Sequence, residues 1–306
     1  MQLNGIVFFV LIIALGYLAL KCRLVPPEAT DVLPSLLLKV CFPAMLFLTF
    51  AQTDSRQLLD TGLPTVAVTL VFSLLPYLLS IPLLRKMDDA RRPLLRYLTG
   101  AGNNSFVCLP LLSLFLSGSD LAIVFVYGAV MDFLIWGVYH QLFAGSSLSG
   151  RQLIVRNVLT TPNLFAVVAG LLCSVFGVSL PGFLVYTLEG LSATVSPLSL
   201  LLIGMLICQY GLWNWTHSKI AILYSVGKVL ALPLLVFACT AALLPLRMAL
   251  ILSMLLGAPA PISAVLWCKQ YGRDTRLAVQ CLIPSTVLYF AVYSALLLVL
   301  SARGIL

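Results

Sequence analysis

The sequence predicts an all-α membrane protein: ten transmembrane helices arranged as two inverted five-helix repeats, with helices 4 and 9 broken near mid-depth. Three observations carry that expectation. Hydrophobic residues make up 61% of the 306-residue chain and charged residues only 9%, and the mean hydropathy is +1.09, outside the range of soluble domains. Apolar runs recur ten times, each near the ~20 residues that cross a ~30 Å hydrocarbon core. Gly16 and Pro43 recur as Gly170 and Pro197 at an offset of 154, and Pro26 recurs as Pro181 at 155.

The runs lie at 3–20, 32–51, 62–84, 94–116, 120–142, 157–176, 184–207, 219–243, 247–268 and 277–301, bounded by charge, Gly or Pro. The first has Lys21 and Arg23 after it and no basic residue before it, the reverse of a secretory signal, so it reads as a retained helix. If the N-terminus is outside, thirteen basic residues fall in cytoplasmic loops: Lys21, Arg23, Arg85, Lys86, Arg91, Arg92, Arg96, Arg151, Arg156, Lys219, Lys269, Arg273 and Arg276. Only Arg56, Arg247 and Arg303 fall on the other face. The positive-inside rule then puts both termini outside, and it accounts for the net charge of +8 without a nucleic acid partner.

The second and seventh runs carry Pro43 and Pro197 and are expected to be broken there. In the fourth, Gly100, Gly102, Asn103, Asn104, Ser105 and Pro110 crowd into a stretch that a lipid-facing helix would avoid. At ~1.5 Å per residue that stretch lies near mid-bilayer. The fifth run carries Asp132 and, two turns on, His140. A linker at 143–156, with a Gly-Ser-Ser-Leu-Ser-Gly stretch, then separates a first repeat at 1–142 from a second at 157–306. Five helices end on the side opposite their start, so the second copy enters the membrane upside down, as in carriers whose site lies where discontinuous helices meet. The eighth run holds Lys228, and the ninth repeats the break with Gly257-Ala-Pro-Ala-Pro-Ile-Ser263.

Asp132, Lys228 and Lys39 project to interior depth, where a charge faces a bundle interior and has a partner. Asp132 with Lys228 is the natural pair. Two readings of that pair stand side by side, a structural ion pair and a substrate or proton-coupling role. Lys39 either faces inward or snorkels, and His140 either relays protons or anchors an interface. His217, beside Trp213 and Trp215, belongs to an interfacial aromatic cluster. The eight cysteines show no metal or disulfide spacing, and neither a hydrolase constellation nor a Walker loop is legible, so no enzyme activity, cofactor or metal is expected.

The segments Gly16-Tyr through Pro27-Glu-Ala29 and Cys41-Phe-Pro-Ala-Met-Leu-Phe47 resemble the first two helices of the auxin efflux carrier family. Gly102-Asn-Asn-Ser-Phe-Val-Cys-Leu-Pro-Leu111 is similar to that family's fourth-helix crossover. Thr161-Pro-Asn163, Val195 through Gly204, and Ala258-Pro259 through Gly272 follow in the same order. The resemblance implies the fold of sodium-bile acid symporters, with helices 1, 2, 6 and 7 as a scaffold and dimer panel. Helices 3–5 and 8–10 then form a moving core, whose helices 4 and 9 cross at their breaks. It further implies a multi-pass carrier of small organic anions such as malonate or malate that works by an elevator-like motion, while the short loops and the lack of a targeting peptide point to a bacterial inner membrane. The substrate would bind at Asn103, Asn104, Ser105, Pro110, Pro259, Pro261 and Ser263. Ser105 and Ser263 depart from the family pattern, so the sodium-coordinating arrangement is not evident, and coupling to H+, to Na+ or to neither stays open. A non-transporting sensor on the same fold is the alternative.

Overall fold

The computed structural model describes residues 2–52, 55–144, 162–211, 216 and 218–305. Arg151, Arg156, Thr161, Trp213, Trp215, His217 and most of the linker lie outside the described residues, as does the side chain of Arg56. All regular structure among the described residues is helical. The elements are α1 (Gln2–Lys21), α2 (Ala29–Leu36), α3 (Phe42–Gln52), α4 (Ser55–Leu83), α5 (Arg92–Gly100), α6 (Leu109–Leu112), α7 (Gly118–Leu134) and α8 (Gln141–Ala144). After the linker come α9 (Pro162–Val175), α10 (Gly182–Tyr210), α11 (Lys219–Val226), α12 (Leu232–Thr240), α13 (Leu246–Leu256), α14 (Ile262–Gln270) and α15 (Thr275–Ala302).

Among the described residues, six stretches are long and apolar enough to cross a membrane: Ala29–Gln52, Thr61–Leu83, Asp120–Phe143, Gly182–Tyr210, Lys219–Thr240 and Thr275–Ala302. Large apolar side chains stand on the outer surface, among them Leu63, Phe165, Phe176, Phe183, Leu223 and Leu243. Such a surface is stable against lipid tails and unstable against water.

Among the described residues, four π-helical turns widen these helices, at Leu37–Cys41, Asn104–Cys108, Ile135–Tyr139 and Gly227–Ala231. Three of them end two residues before a proline, namely Pro43, Pro110 and Pro233. A proline ring clashes with the carbonyl four residues back and leaves it without its N–H, and a wider turn relieves that clash. At Pro233 the freed acceptor is the Val229 carbonyl, which takes a hydrogen bond from the Tyr293 hydroxyl at 2.8 Å. The breaks expected at Pro43 and Pro197 do not occur. The chain widens before Pro43, and α10 runs unbroken through Pro197.

α1 packs along α10, and α9 along α3. A Cβ on Gly16 would strike the Leu201 carbonyl, and one on Gly170 would lie 2.6 Å from the Phe47 carbonyl. The offset of 154 that relates Gly16 to Gly170 also relates Phe47 to Leu201. One close helix contact is therefore made twice, by corresponding residues with their roles exchanged. Missing side chains let the backbones approach, the usual source of helix association in lipid. The remaining helices pack chiefly as α4 with α5 and α7, α7 with α13, α12 with α13, and α11 and α14 with α15.

Polar contacts mark two opposite ends. At one, Arg91 pairs with Asp274 at 2.9 Å and Lys269 with Asp31 at 3.0 Å. At the other, Arg247 pairs with Asp120 at 3.3 Å and binds the Ile305 carbonyl.

Candidate functional site

The fourth and ninth apolar runs are each divided by an extended break. α5 ends at Gly100, and helix resumes at Asn104, while α13 ends at Leu256, and α14 starts at Ile262. The two breaks touch. Asn103 donates its backbone N–H to the Pro259 carbonyl at 2.8 Å, and a Cβ on Gly102 would overlap the side chain of Ala258. Glycine is required here because the two main chains meet with no room for a side chain. The backbone N–H of Ala260 is satisfied by the Ser285 hydroxyl at 3.1 Å. The Tyr97 hydroxyl and the Ser263 hydroxyl lie 2.7 Å apart, joining α5 to α14. Unwound backbone at membrane depth is tolerable only when its polar groups are paired in this way or face a cavity.

A cavity of about 50 Å³ lies against the junction, several times the ~10–15 Å³ that one water needs. Gly102 to Phe106 and Pro261 to Ser263 form one side of it, Pro34 and Leu38 another, and Met131, Asp132 and Ile135 a third. Both new helices present their N-terminal residues to it. The Asn103 side chain caps the first of them, accepting from the Phe106 N–H at 3.3 Å. Its Nδ2 donor is buried without a partner among the described residues, as is Oδ1 of Asn104. Helix N-termini and unpaired amide donors favour negative ligands. Asp132 is the one ionisable side chain in the lining among the described residues, and it accepts a hydrogen bond from Nδ2 of Asn163 on α9 at 3.1 Å.

Five residues expected at a binding site thus share this cavity: Asn103, Asn104, Ser105, Pro261 and Ser263. Pro110 and Pro259 do not line it. Pro110 is buried in α6 behind its π turn, and Pro259 serves by offering its carbonyl to Asn103.

The pair expected between Asp132 and Lys228 is not formed. Lys228 lines a separate cavity with Pro76, Leu98 and Tyr224, and no carboxylate of a described residue reaches it. Equal depth fixes one coordinate of a side chain and leaves its direction around the helix free. Lys39 likewise does not face the interior, since it sits exposed on the π turn between α2 and α3. His140 lies away from Asp132, with Nε2 3.1 Å from the Tyr271 hydroxyl and its ring packed on Trp267.

Two contributors went unforeseen. Asn163 reaches Asp132 from the second half of the chain, and its only signal was a polar amide in the Thr161-Pro-Asn163 motif. Tyr97 is fully buried against Tyr139, Phe143 and Trp267, an aromatic cluster drawn from three helical segments that no local pattern reveals.

A family model described as membrane transport protein matches residues 3–297. No curated protein matches the chain.

Proposed function

This chain belongs to that membrane transport protein family, the auxin efflux carriers its sequence resembles, and we propose that it is a proton-coupled secondary carrier of small organic anions. Mono- and dicarboxylates of the size of malonate and malate are the substrate class. The observation that carries this reading is the cavity at the crossing: two helix N-termini converge on a space lined by Asn103, Asn104 and Ser105, and its one ionisable lining residue among the described residues is Asp132. A carboxylate entering beside ionised Asp132 meets like-charge repulsion, and beside protonated Asp132 it meets a hydrogen-bond donor. Anion binding and proton uptake are then linked through one side chain, and no sodium site is needed.

The transport cycle we infer is an elevator motion of a core (α4 to α8 and α11 to α15) against a scaffold of α1 to α3, α9 and α10. This assignment makes ten crossings, with helices 4 and 9 each counted across its break, as two inverted repeats of residues 1–142 and 157–306 on either side of a linker. The exchanged contact of Gly16 with Leu201 and Gly170 with Phe47 supports the repeat. The same reading places both termini outside a bacterial inner membrane and pairs two copies through the scaffold.

The test is uptake of labelled malonate, malate and a panel of monocarboxylates into sealed proteoliposomes, with a pH gradient, a sodium gradient or neither. Saturable flux of one acid, stimulated by inward proton movement, is expected. Binding without flux for every acid would replace this reading with a sensor, and sodium-driven flux would remove the coupling role of Asp132.

A further inference from the structure

A second cavity, of about 520 Å³, lies between α4, α5 and the α11–α12 stretch. It lies at the end of the bundle where Met87 and Ile220 sit, and its walls are mostly aliphatic, with Leu84, Leu95, Leu98, Leu223 and Leu232. Its size is that of pockets for ligands of ~300–1,000 Å³. Two residues with polar ends line this apolar space from successive turns, Tyr224 and Lys228. Lys228 is only 6% exposed, and its ammonium makes no hydrogen bond or ion pair with any described residue. The Tyr224 hydroxyl is buried without a partner as well.

Lysine at membrane depth ordinarily snorkels to the headgroups or pairs with an acid. Lys228 does neither, because its base is held in the π turn Gly227–Ala231 and its side chain is enclosed by the groove. An unpaired cation in an apolar groove is the complement of a carboxylate, which accepts a charge-assisted hydrogen bond from it. The depth narrows the ligand further. Lys228 lies roughly 13 Å along the helix from Lys219, at ~1.5 Å per residue, too far in for the phosphate of a lipid seated at the headgroup level. A molecule with a carboxylate at one end and a single slender chain fits the charge and the aliphatic walls.

We propose that this groove binds a single-chain fatty acid, its carboxylate on Lys228 and its chain along Leu95, Leu98 and Leu223. The proposal does not rest on the transport reading, since the groove and the crossing cavity share no lining residue.

The experiment is photolabelling of the purified full chain in maltoside micelles with a diazirine-bearing palmitate, with mapping of the modified peptides by mass spectrometry. Labelling within 84–99 and 220–232 is expected, displaced by excess laurate and not by lauryl alcohol. Lys228→Met lowers it about tenfold, the loss of one charge-assisted hydrogen bond. Leu223→Trp, at a position 75% exposed and therefore tolerant of size, fills the groove and abolishes it. Asn103→Ala, at the other cavity, leaves it unchanged. Undiminished labelling of folded Lys228→Met, equal displacement by the alcohol, displacement by phosphatidylglycerol alone, or no saturable labelling of the wild type overturns the proposal. Should Lys228→Met fail to fold, the Leu223→Trp variant and the competition series decide it.

Discussion

Asn103 gives its backbone N–H to the carbonyl of Pro259 at 2.8 Å, so the two helix breaks are joined through main chain alone. The side chain of Asn103 is thereby left for other work: it caps the resumed helix through Oδ1 and keeps a buried, unpaired Nδ2. Removal of the amide costs the cap about 1 kcal/mol and leaves the junction itself in place. Asn103→Ala is expected to fold, to elute as the wild type does, and to lose at least about tenfold in anion uptake in proteoliposomes. Wild-type uptake by the variant would remove Asn103 from the binding site.

Asp132 is the one group in the cavity whose charge can change, and Asn163 holds its carboxylate. Wild-type uptake is expected to rise as pH falls, because the protonated form admits the anion. Asp132→Asn mimics that form permanently, so its uptake should lose the pH dependence and the response to an imposed proton gradient. A full pH response in the variant would assign the coupling elsewhere.

The Tyr293 hydroxyl supplies the Val229 carbonyl with the donor that Pro233 cannot. Tyr293→Phe leaves that acceptor buried and unpaired, at a cost of about 1–3 kcal/mol. A fall in the apparent thermal midpoint is expected. The double variant Tyr293→Phe with Pro233→Ala, which restores the backbone N–H, should recover part of it. No fall in the single variant would mean that the carbonyl finds another partner.

Gly16 and Gly170 occupy corresponding contacts, against Leu201 and Phe47. Adding side chains at close helix contacts costs about 1–3 kcal/mol. Gly16→Val and Gly170→Val should therefore destabilise the protein similarly, whereas Gly190→Ala, at a glycine whose added Cβ meets nothing, should not. Chemical denaturation in micelles gives the comparison, and a large difference between the first two would break the equivalence of the contacts.

Lys269 and Asp31 form an exposed pair at 3.0 Å, and the Asp31 carboxylate raises the Lys269 ammonium above its ordinary value. The contribution of such a pair is present below the unfolded pKa of lysine and is lost only as pH rises through the folded one. Between pH 6 and 8 no change in stability from it is expected, and Asp31→Asn should cost about 0–1 kcal/mol. A larger loss in thermal unfolding would show the pair to be coupled to something beyond its own charges.

The two helix breaks were legible in the sequence because their cause is local. Gly100, Gly102 and Asn103 in one run, and Gly257, Pro259 and Pro261 in the other, crowd helix-breaking residues into a few positions. The proline rule misfired at Pro43 and Pro197, where widening or local accommodation keeps the helix whole. The error over Asp132 and Lys228 has a different source. Their depth was readable by counting residues, but the direction of each side chain depends on how its helix is rotated.

The sequence by itself determined that this chain is an integral membrane protein of the transport family, and where its fourth and ninth helical runs interrupt, since composition, run length and backbone chemistry act residue by residue. Only the tertiary structure decided that Asn103 meets Pro259, that Asn163 reaches Asp132 across 31 positions, and that Lys228 turns to a groove of its own. Those facts depend on the rotation of each helix and the approach of its neighbours. Both are set by close contacts, such as Gly16 on Leu201, between residues far apart in the chain.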